Sequence, residues 1–476
     1  MKKISILHIS DIHKGADMSL KTLLQSLIRD SERWDEEGIR RPDFIVLSGD
    51  VIQGGPTEEE IAQQYQEAEN FLSELCKVFL NDHRERLIVV PGNHDVSWPH
   101  SGKCMVPVEI TPDIVKEYRQ HSGKKNLRWD WDERQLFKVE SPDGYSHRFD
   151  QFVSFYNRFF DGVYRYPAEP EREAMCIPFS DYNLCFACFN SCCNNDHLND
   201  AGEISNEAIY SIDQELASCY KDGMLPIGVW HHNVYGDPYQ SDYMSKTVLG
   251  KLSEHQIKIG LYGHQHQSQV AEEYSNLLIP DENKKRLLLI SAGTLFGGDN
   301  EQHKGIRRQY NIIELDMENG KATVSIHVRE DANPETSSDD PYWRPRTISG
   351  SDKAINYQVS FKKVSDDEKL RRIDEETRKS RDYVVGIKAL RSSSIKTNAA
   401  HKMMRDYLGK LDGQEILTVL PEPETQDQCF LLIGIIDKEH DVEAFKRLAN
   451  SPILQQALEK DALLRGEFMS LSEKFK

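Results

Sequence analysis

The feature that most restricts the fold of this 476-residue chain is a set of polar motifs, each placed where an apolar segment ends. In the N-terminal part, short apolar runs typical of strands alternate with helical periodicity, as at residues 20–34. This alternation predicts an α/β fold, in which side chains at the carboxyl ends of the strands meet at one edge of the sheet. In chain order the motifs are Asp11-Ile-His13, Gly49-Asp50, Gly92-Asn-His-Asp95, His231-His-Asn233 and Gly263-His-Gln-His266.

The side chains of these motifs predict a pair of divalent cations. They offer carboxylates, imidazoles and carboxamides without a thiolate, and such ligands suit manganese, iron or zinc in high coordination. Asp11 and His13 stand two residues apart and can face one cation, whereas His264 and His266 can each serve one cation of a pair. Asp50 stands alone on its loop and is suited to bridging both. Two cations about 3.5–4 Å apart would clamp a phosphoryl oxygen and hold a hydroxide that attacks phosphorus.

The five motifs, in this order, resemble the signatures of the calcineurin-like metallophosphoesterase superfamily over residues 1–330. The resemblance is nearest to SbcD-type nucleases and bacterial phosphodiesterases, and it implies a four-layer αββα sandwich. It also implies two bound divalent cations, with manganese expected and iron or zinc as alternatives. The implied ligands are Asp11, His13 and His266 for the first metal, Asn93, His231 and His264 for the second, and Asp50 as the bridge.

Two further residues receive catalytic roles from the same resemblance. His94 matches the position that protonates the leaving oxygen or stabilises the phosphate, and Asp95 would orient it. One ligand is ambiguous, since either His231 or His232 could follow the strand. We favour His231, because the apolar run stops at Trp230.

The sequence leaves three functions open. A nuclease or phosphodiesterase acting on nucleic acid is favoured by His231-His-Asn233, which is closer to an H-x-N motif than to the H-H-P of many small phosphodiesterases. The formal charge of −19 opposes unaided binding of nucleic acid and would call for a basic partner such as an ATPase subunit. A phosphodiesterase for cyclic nucleotides or other small diesters is the first alternative. A non-catalytic binding scaffold is the second, and the complete set of seven ligands counts against it.

The sequence predicts three segments. Residues 1–330 form the catalytic domain, with an insertion or lid at 98–172, and residues 331–381 form a linker and a charged helix. Residues 382–476 are predicted to be an α+β domain of ferredoxin-like order, with strands at 383–390, 415–420, 429–436 and 466–472. Helices are predicted at 397–411 and 441–448. We expect this domain to bind a protein partner or to self-associate.

The remaining features concern location and the cysteines. No run of about 18 apolar residues is present, so a membrane-spanning helix is not expected. The first residues are too short in apolar content for a signal peptide, and a cytoplasmic protein with reduced thiols is expected. Cys185, Cys188, Cys192 and Cys193 could form a zinc site, but Cys185 and Cys188 would lie on opposite faces of a strand, which favours packing.

Overall fold

The structure is a computed structural model that forms two compact units, Met1–Lys363 and Val364–Lys476. The residues that it describes are 2–13, 19–121, 126–235, 242–274, 286–296, 306–333, 340–346, 354–393, 395, 397–423 and 425–475.

The chain alternates strands and helices up to residue 360 and is helical afterwards. The strands are β1 (Lys2–Ile9), β2 (Phe44–Leu47), β3 (Leu87–Val89), β4 (Met105–Val108), β5 (Leu127–Asp130), β6 (Gln135–Val139), β7 (Met175–Phe179), β8 (Leu184–Cys188), β9 (Leu225–Val229), β10 (Ile259–Tyr262), β11 (Gln269–Tyr274), β12 (Arg286–Ser291), β13 (Gln309–Glu318), β14 (Lys321–Asp331), β15 (Trp343–Pro345) and β16 (Ile355–Ser360).

The helices include one, α2, that is much longer than its neighbours. They are α1 (Leu20–Ser31), α2 (Glu58–Leu80), α3 (Trp98–Lys103), α4 (Pro112–His121), α5 (Pro142–Ser146), α6 (Asp150–Phe159), α7 (Asn206–Ser211), α8 (Asp213–Lys221), α9 (Thr247–Glu254), α10 (Asp366–Ser380), α11 (Tyr383–Ser392), α12 (Asn398–Leu408), α13 (Gly413–Val419), α14 (Gln426–Glu439), α15 (Val442–Ala449), α16 (Pro452–Lys460) and α17 (Ala462–Lys474). None of these helices, within the described residues, combines the length and apolarity needed to cross a membrane.

Two large sheets build the first unit. The first has the order β15-β14-β13-β1-β2-β3, with β16 also paired to β14, and the second has the order β11-β12-β10-β9-β8-β7. Strands β1, β2 and β3 are parallel, as are β8, β9, β10 and β12. The carboxyl ends of β1, β2 and β3 therefore share one edge of the first sheet, and those of β9 and β10 share one edge of the second.

The two sheets pack face to face with helices on both outer sides. Ile6 and Val46 of the first sheet share one buried core with Phe186 and Ile227 of the second. Leu7 and the other alternate residues of the first sheet pack instead with α1, α2 and α6. The outer face of the second sheet packs with α7, α8 and α9. This period-two division of apolar side chains produces the four layers, and the expected αββα sandwich is confirmed.

Local signals set the ends of several elements. Thr57 is the N-cap residue of α2, and its side chain accepts a hydrogen bond from the backbone N–H of Glu60. Asn319 and Gly320 have φ values of 53° and 77° and connect β13 to β14 with Glu318 opposite Lys321. Two successive positive φ values are those of a type I′ turn, the usual connection of a two-residue β-hairpin.

Residues 98–172, the predicted insertion, contain a small sheet of order β4-β6-β5 and helices α3 to α6. Buried side chains connect this segment to the loop after β8. Arg128 Nε donates to Asp196 Oδ2 at 2.6 Å, and Arg148 Nε donates to the carbonyl of Asn195 at 2.9 Å. The segment is thus anchored by charge-assisted hydrogen bonds.

The segment predicted to be a linker contributes to the first sheet. Strand β15 pairs with Arg329 to Asp331, and β16 pairs with Lys321 to Ile326. Parts of that segment, residues 334–339 and 347–353, lie outside the described residues.

The predicted α+β domain at the C-terminus is wrong. Helices α10 to α17 account for the second unit, and its described residues contain no strand. The four segments predicted as strands lie in α11, α13, α14 and α17. In α14 the apolar run 429–436 resembles a buried strand, but its buried residues follow helical spacing at Cys429, Leu432, Ile433 and Ile436. A short apolar run cannot be assigned to strand or helix by its periodicity alone.

Candidate metal centre

The predicted ligands arrive from the carboxyl ends of five strands. Asp11 and His13 follow β1, Asp50 follows β2 and Asn93 lies in a turn of 3-10 helix shortly after β3. His231 follows β9 of the second sheet, and the loop with His264 and His266 follows β10. The two facing sheets therefore bring residues that are 253 positions apart into contact, as for His13 and His266.

The first group of ligand atoms surrounds one small volume. His13 Nε2 lies 3.0 Å from His266 Nε2, 3.6 Å from Asp11 Oδ1 and 3.7 Å from Asp50 Oδ2. His266 Nε2 lies 3.3 Å from Asp11 Oδ1. Asp11, His13 and Asp50 are buried, so four side chains converge with little access of bulk water to three of them.

The second group forms a similar arrangement beside the first. His231 Nε2 lies 3.0 Å from Asn93 Oδ1 and 3.1 Å from Asp50 Oδ2. His264 Nδ1 lies 3.1 Å from Asn93 Oδ1 and 3.3 Å from His231 Nε2. Asp50 Oδ2 belongs to both groups, which is the geometry required of a bridging ligand.

Each carboxylate at the centre is held by a backbone amide. Asp50 Oδ1 accepts a hydrogen bond from the N–H of His94 at 2.9 Å, and Asp11 Oδ2 accepts one from the N–H of His264 at 3.2 Å. The other oxygen of each side chain faces the imidazoles. These contacts fix the direction in which both carboxylates present an oxygen.

The backbone at the centre is strained. Five of the seven predicted ligands have positive φ values between 45° and 72°, namely Asp11, His13, Asp50, His264 and His266. Non-glycine residues rarely adopt this left-handed region, and such strain is concentrated at functional sites. At Gly92 an added Cβ would lie 2.1 Å from Asp50 Oδ1, so this loop can approach Asp50 only with glycine.

The carboxylates are ionised because of their neighbours. Burial raises the pKa of Asp50, but the positive charges available on His231 and His94 outweigh burial and hold it well below its usual value. Burial also raises the pKa of Asp11, and the imidazoles of His13 and His266 bring it down in the same way. Burial lowers the pKa of His231, whereas Asp50 raises it, with a net value of about 9. The centre therefore requires positive charge, which bound cations supply when the imidazoles are neutral ligands.

The arrangement fits two divalent cations. Nitrogen and oxygen ligands about 2.1 Å from a common ion are roughly 3.0–3.4 Å apart, close to the spacing within each group. The donor set consists of oxygen and imidazole nitrogen without sulfur, and it suits manganese, iron or zinc. One cation would be surrounded by Asp11, His13, Asp50 and His266. The other would be surrounded by Asp50, Asn93, His231 and His264.

His94 lies beside the first group and is partly exposed. Its ring centre is 4.7 Å from that of His13, and its Nδ1 donates to the carbonyl of Gln53 at 2.8 Å. The other ring nitrogen is left for proton transfer or for contact with a phosphate oxygen. Asp95, predicted to orient His94, instead accepts hydrogen bonds from the N–H groups of Gly92 and Val51, so it braces the loop.

The two adjacent histidines differ in direction. His231 Nδ1 donates to the carbonyl of Ser48 at 2.8 Å, which turns its Nε2 toward Asp50. His232 Nδ1 lies 2.8 Å from Ser191 Oγ, and the His232 ring packs 4.6 Å from the ring of His264. The structure thus turns a ring nitrogen of His231 toward the oxygens of Asn93 and Asp50, whereas Nδ1 of His232 faces Ser191.

Three contributors to the centre were missed by sequence reasoning. Asp242 Oδ2 lies 3.3 Å from His264 Nε2, close enough for its charge to act on that imidazole. The carbonyls of Ser48 and Gln53 accept hydrogen bonds from His231 and His94 and so orient both rings. Backbone acceptors leave no signal in a sequence, and Asp242 stands in no recognisable motif.

Three cysteines of the sequence cluster, Cys185, Cys188 and Cys192, lie in three separate cores. Cys185 packs on the outer face of β8 and Cys188 on the inner face, as predicted from strand alternation. Cys185 lies instead in a group with Cys176 and Cys219, whose sulfur atoms are within 4.8 Å of one another. All nine cysteines are free thiols.

Comparisons with known proteins relate the chain to phosphoesterases. A family model described as calcineurin-like phosphoesterase matches residues 4–268. A probable cyclic nucleotide phosphodiesterase of Fibrobacter succinogenes is 29% identical over 143 residues, which are 30% of this chain and 47% of that protein. The chain thus covers less than half of this relative's length.

Two solved structures are also similar. A dimetal phosphatase from Danio rerio aligns with a TM-score of 0.35 and 11% identity over 76% of this chain and 100% of its own. A protein serine/threonine phosphatase from Saccharomyces cerevisiae aligns with a TM-score of 0.23 and 11% identity, over 76% of this chain and 82% of its own.

Proposed function

This chain belongs to the calcineurin-like phosphoesterase family, and from that premise we propose that it is a phosphodiesterase that depends on two divalent cations. The observation that carries the proposal is the pair of ligand groups that share Asp50 Oδ2. A shared carboxylate keeps two cations close enough to act on one phosphate group.

The residues have distinct tasks in this reaction. Asp11, His13 and His266 hold the first cation with Asp50, and Asn93, His231 and His264 hold the second with Asp50. When bound, the cations activate water and neutralise the charge of the phosphate oxygens. His94 is oriented by Gln53 and donates a proton to the leaving oxygen or a hydrogen bond to the phosphate.

Manganese is the proposed metal. Carboxylate, carboxamide and imidazole ligands without thiolate suit a cation of intermediate hardness that accepts high coordination, and manganese meets both conditions. Iron and zinc can bind the same donor atoms, but this set of donors is less specific for them. Metal content after expression and reloading, measured by mass spectrometry, tests this assignment.

Nucleic acid is the proposed substrate class, and cyclic nucleotides are the alternative. The net charge of −19 weakens binding of long polyanions, so we propose that a basic protein partner supports activity on nucleic acid. The similarity to a probable cyclic nucleotide phosphodiesterase favours the alternative, although it covers 30% of this chain. Both substrates are phosphodiesters and both require the same centre.

The experiment offers Mn²⁺-loaded protein a panel of esters. The panel contains bis-p-nitrophenyl phosphate, p-nitrophenyl phosphate, single- and double-stranded DNA, RNA and cyclic nucleotides. We expect hydrolysis of diesters in preference to the monoester. Asp50→Ala should abolish binding of both cations and all turnover, because one side chain serves both ligand groups.

His94→Gln separates catalysis from metal binding. It should retain two cations per chain and lower kcat by about 10²–10⁴, the usual contribution of a general acid. Hydrolysis of cyclic nucleotides alone would exclude the nuclease. Absence of turnover on every substrate, with two cations bound, would favour a binding scaffold.

A further inference from the structure

The structure contains a cavity next to the metal centre that the proposed function does not use. It has a volume of about 580 Å³ and lies between the loop Gln53 to Pro56, His94, Trp98, Pro99 and His197. Cavities that hold small organic molecules measure about 300–1,000 Å³. The cavity begins at His94, so a group attached to the phosphate on that side would enter it.

An exposed aromatic side chain forms one wall. Trp98 is 45% exposed, whereas Trp34, Trp230 and Trp343 are buried. Its ring centre lies 5.9 Å from that of His94, with the two planes inclined by 35°. Burial of this indole surface against a ligand would be favourable, and its position beside His94 places such a ligand next to the metal centre.

The wall is held in place by buried contacts. Trp98 is the first residue of α3, and the N–H of the preceding Ser97 donates to the carbonyl of the buried Arg148 at 2.9 Å. His197 Nδ1 lies 3.1 Å from the Oγ of Ser101, a buried residue of the same helix. The backbone next to Trp98 and the ring of His197 are therefore held in place before a ligand arrives, which lowers the entropic cost of binding.

The chemistry of the lining favours a neutral aromatic group. Among its described residues, none is Asp, Glu, Lys or Arg, so a second phosphate or a charged headgroup would have no partner of opposite charge. The indole and imidazole rings offer faces for stacking and nitrogen atoms for hydrogen bonds at the edge of a base. Stacking on an aromatic side chain is the common way in which proteins hold unpaired bases.

Resting on the proposed function, we propose that this cavity is a nucleobase subsite in which Trp98 stacks on the base attached next to the scissile phosphate. A cavity that binds a base means that the phosphodiester substrate contains a nucleotide. It also gives the segment 98–172 a role in substrate selection, since Trp98 is its first residue.

The test measures how much a base contributes to turnover in the presence and absence of the indole. The substrates are a deoxyadenosine dinucleotide and two analogues, each lacking one of its bases. In the unmodified protein, removal of one of the two bases should lower kcat/KM by about tenfold, within the usual range for one stacked base. In Trp98→Ala the same removal should lower kcat/KM by about twofold or less, and Trp98→Phe should restore most of the effect.

Matched controls exclude a loss of structure. Trp131→Ala removes another exposed indole of the same segment, 81% exposed, and should leave the base effect intact. Manganese content and the midpoint of thermal unfolding should be the same in all variants. Equilibrium dialysis of adenosine against the Mn²⁺-loaded protein provides a readout without hydrolysis, and Trp98→Ala should weaken adenosine binding by about tenfold.

The outcomes separate the subsite from the proposed function. If the base effect is the same in Trp98→Ala and the unmodified protein, the subsite is wrong although the hydrolysis stands. If neither dinucleotides nor any other diester of the panel is hydrolysed with two cations bound, the proposed function fails, and adenosine dialysis then decides the subsite. Binding that depends on Trp98 would support it, and equal or absent binding would overturn it.

Discussion

Gly92 shows how a single residue position controls the metal centre. An added Cβ would lie 2.1 Å from Asp50 Oδ1 and 2.4 Å from the Asp50 backbone nitrogen, so Gly92→Ala must displace the bridging carboxylate. We expect this variant to bind fewer than two cations per chain and to lose at least about 90% of diesterase activity, since a shift of about 1 Å can cost 10²-fold in rate. Metal analysis and bis-p-nitrophenyl phosphate assays measure both.

A glycine elsewhere serves as the control for that substitution. Gly250 lies in α9, and an added Cβ would meet no atom within 4 Å. Gly250→Ala should keep metal content and activity and should raise helix stability slightly. Equal activity of the two variants would show that the approach of Gly92 to Asp50 is not needed.

His8 makes stability depend on pH. It is fully buried, its Nε2 lies 3.0 Å from Ser48 Oγ, and burial lowers its pKa from 6.5 to about 3, although Asp11 opposes the shift. Above pH 6.5 the imidazole is neutral in both the folded and unfolded states. Between pH 6.5 and about 3 only the unfolded state binds the proton, so His8 lowers the free energy of unfolding as pH falls, by about 1.4 kcal/mol per pH unit.

His8→Gln should remove this dependence while keeping a polar group near Ser48. Urea unfolding in the presence of a chelator, at several pH values between about 4.5 and 6.5, gives the slope of stability against pH. All six tryptophans lie before residue 364, so fluorescence reports the first unit. A variant with the same slope as the unmodified protein would contradict a neutral buried His8.

The sequence reveals which residues meet at the site, but it does not reveal how each of their side chains is oriented. Asp11, Asp50, Asn93 and the histidines were predictable because parallel strands place their carboxyl ends together, whatever the loops do. The orientation of His94 was not, because its partner is the carbonyl of Gln53, and any residue at that position offers a carbonyl. The contact between Asp242 and His264 likewise depends on how a loop returns to the centre.

At the scale of elements, a buried ion pair connects α1 to β14. Arg329 Nε and Nη2 donate to the two oxygens of Asp30 at 2.8 and 2.5 Å, and both side chains are almost fully buried. Trp34 Nε1 also donates to Asp30 at 3.2 Å. Arg329→Met leaves the partly exposed Arg33 as the remaining cationic partner of Asp30, so we expect a loss of about 3 kcal/mol in the free energy of unfolding, the lower end of the cost of breaking a buried pair.

Urea denaturation followed by tryptophan fluorescence measures that loss. The control is the exposed pair Arg371 and Glu375 on α10, whose charged atoms are 3.9 Å apart with side chains 70% and 69% exposed. Glu375→Ala should change stability by less than about 1 kcal/mol. A loss below about 1 kcal/mol in Arg329→Met would show that Arg33 and Trp34 are sufficient partners for Asp30.

The predicted elements succeeded where local and long-range signals agreed. Strands β1, β2 and β3 are apolar and are closed by the polar motifs that mark their ends in the sequence. The second unit failed because its helices are short and apolar on more than one face, so their sequences resemble strands. Tertiary packing among helices decides such segments, and a sequence window does not contain that information.

At the scale of the whole molecule, the metal centre belongs to one unit. All seven predicted ligands and His94 lie in Met1–Lys363, whose sheets and outer helices form their own buried cores. The second unit has a separate core and leaves Val385, Val442, Leu463 and Met469 more than half exposed. We propose that this unit binds a protein partner or a second copy of the chain, and that exposed apolar side chains such as these contribute to the contact.

Deletion of residues 364–476 tests this division. The truncated chain should bind two manganese ions and hydrolyse bis-p-nitrophenyl phosphate at a rate close to that of the full chain, because no predicted ligand is removed and each unit has its own core. Light scattering of both chains, with and without candidate basic partners, should show a smaller assembly or a lost complex for the truncated chain.

Since a chain of −19 charge binds nucleic acid poorly without help, cleavage of DNA or RNA should fall more than cleavage of the small diester. Identical assembly, partner capture and nucleic-acid cleavage by both chains would contradict an interaction role for the helical unit while leaving the metal centre intact.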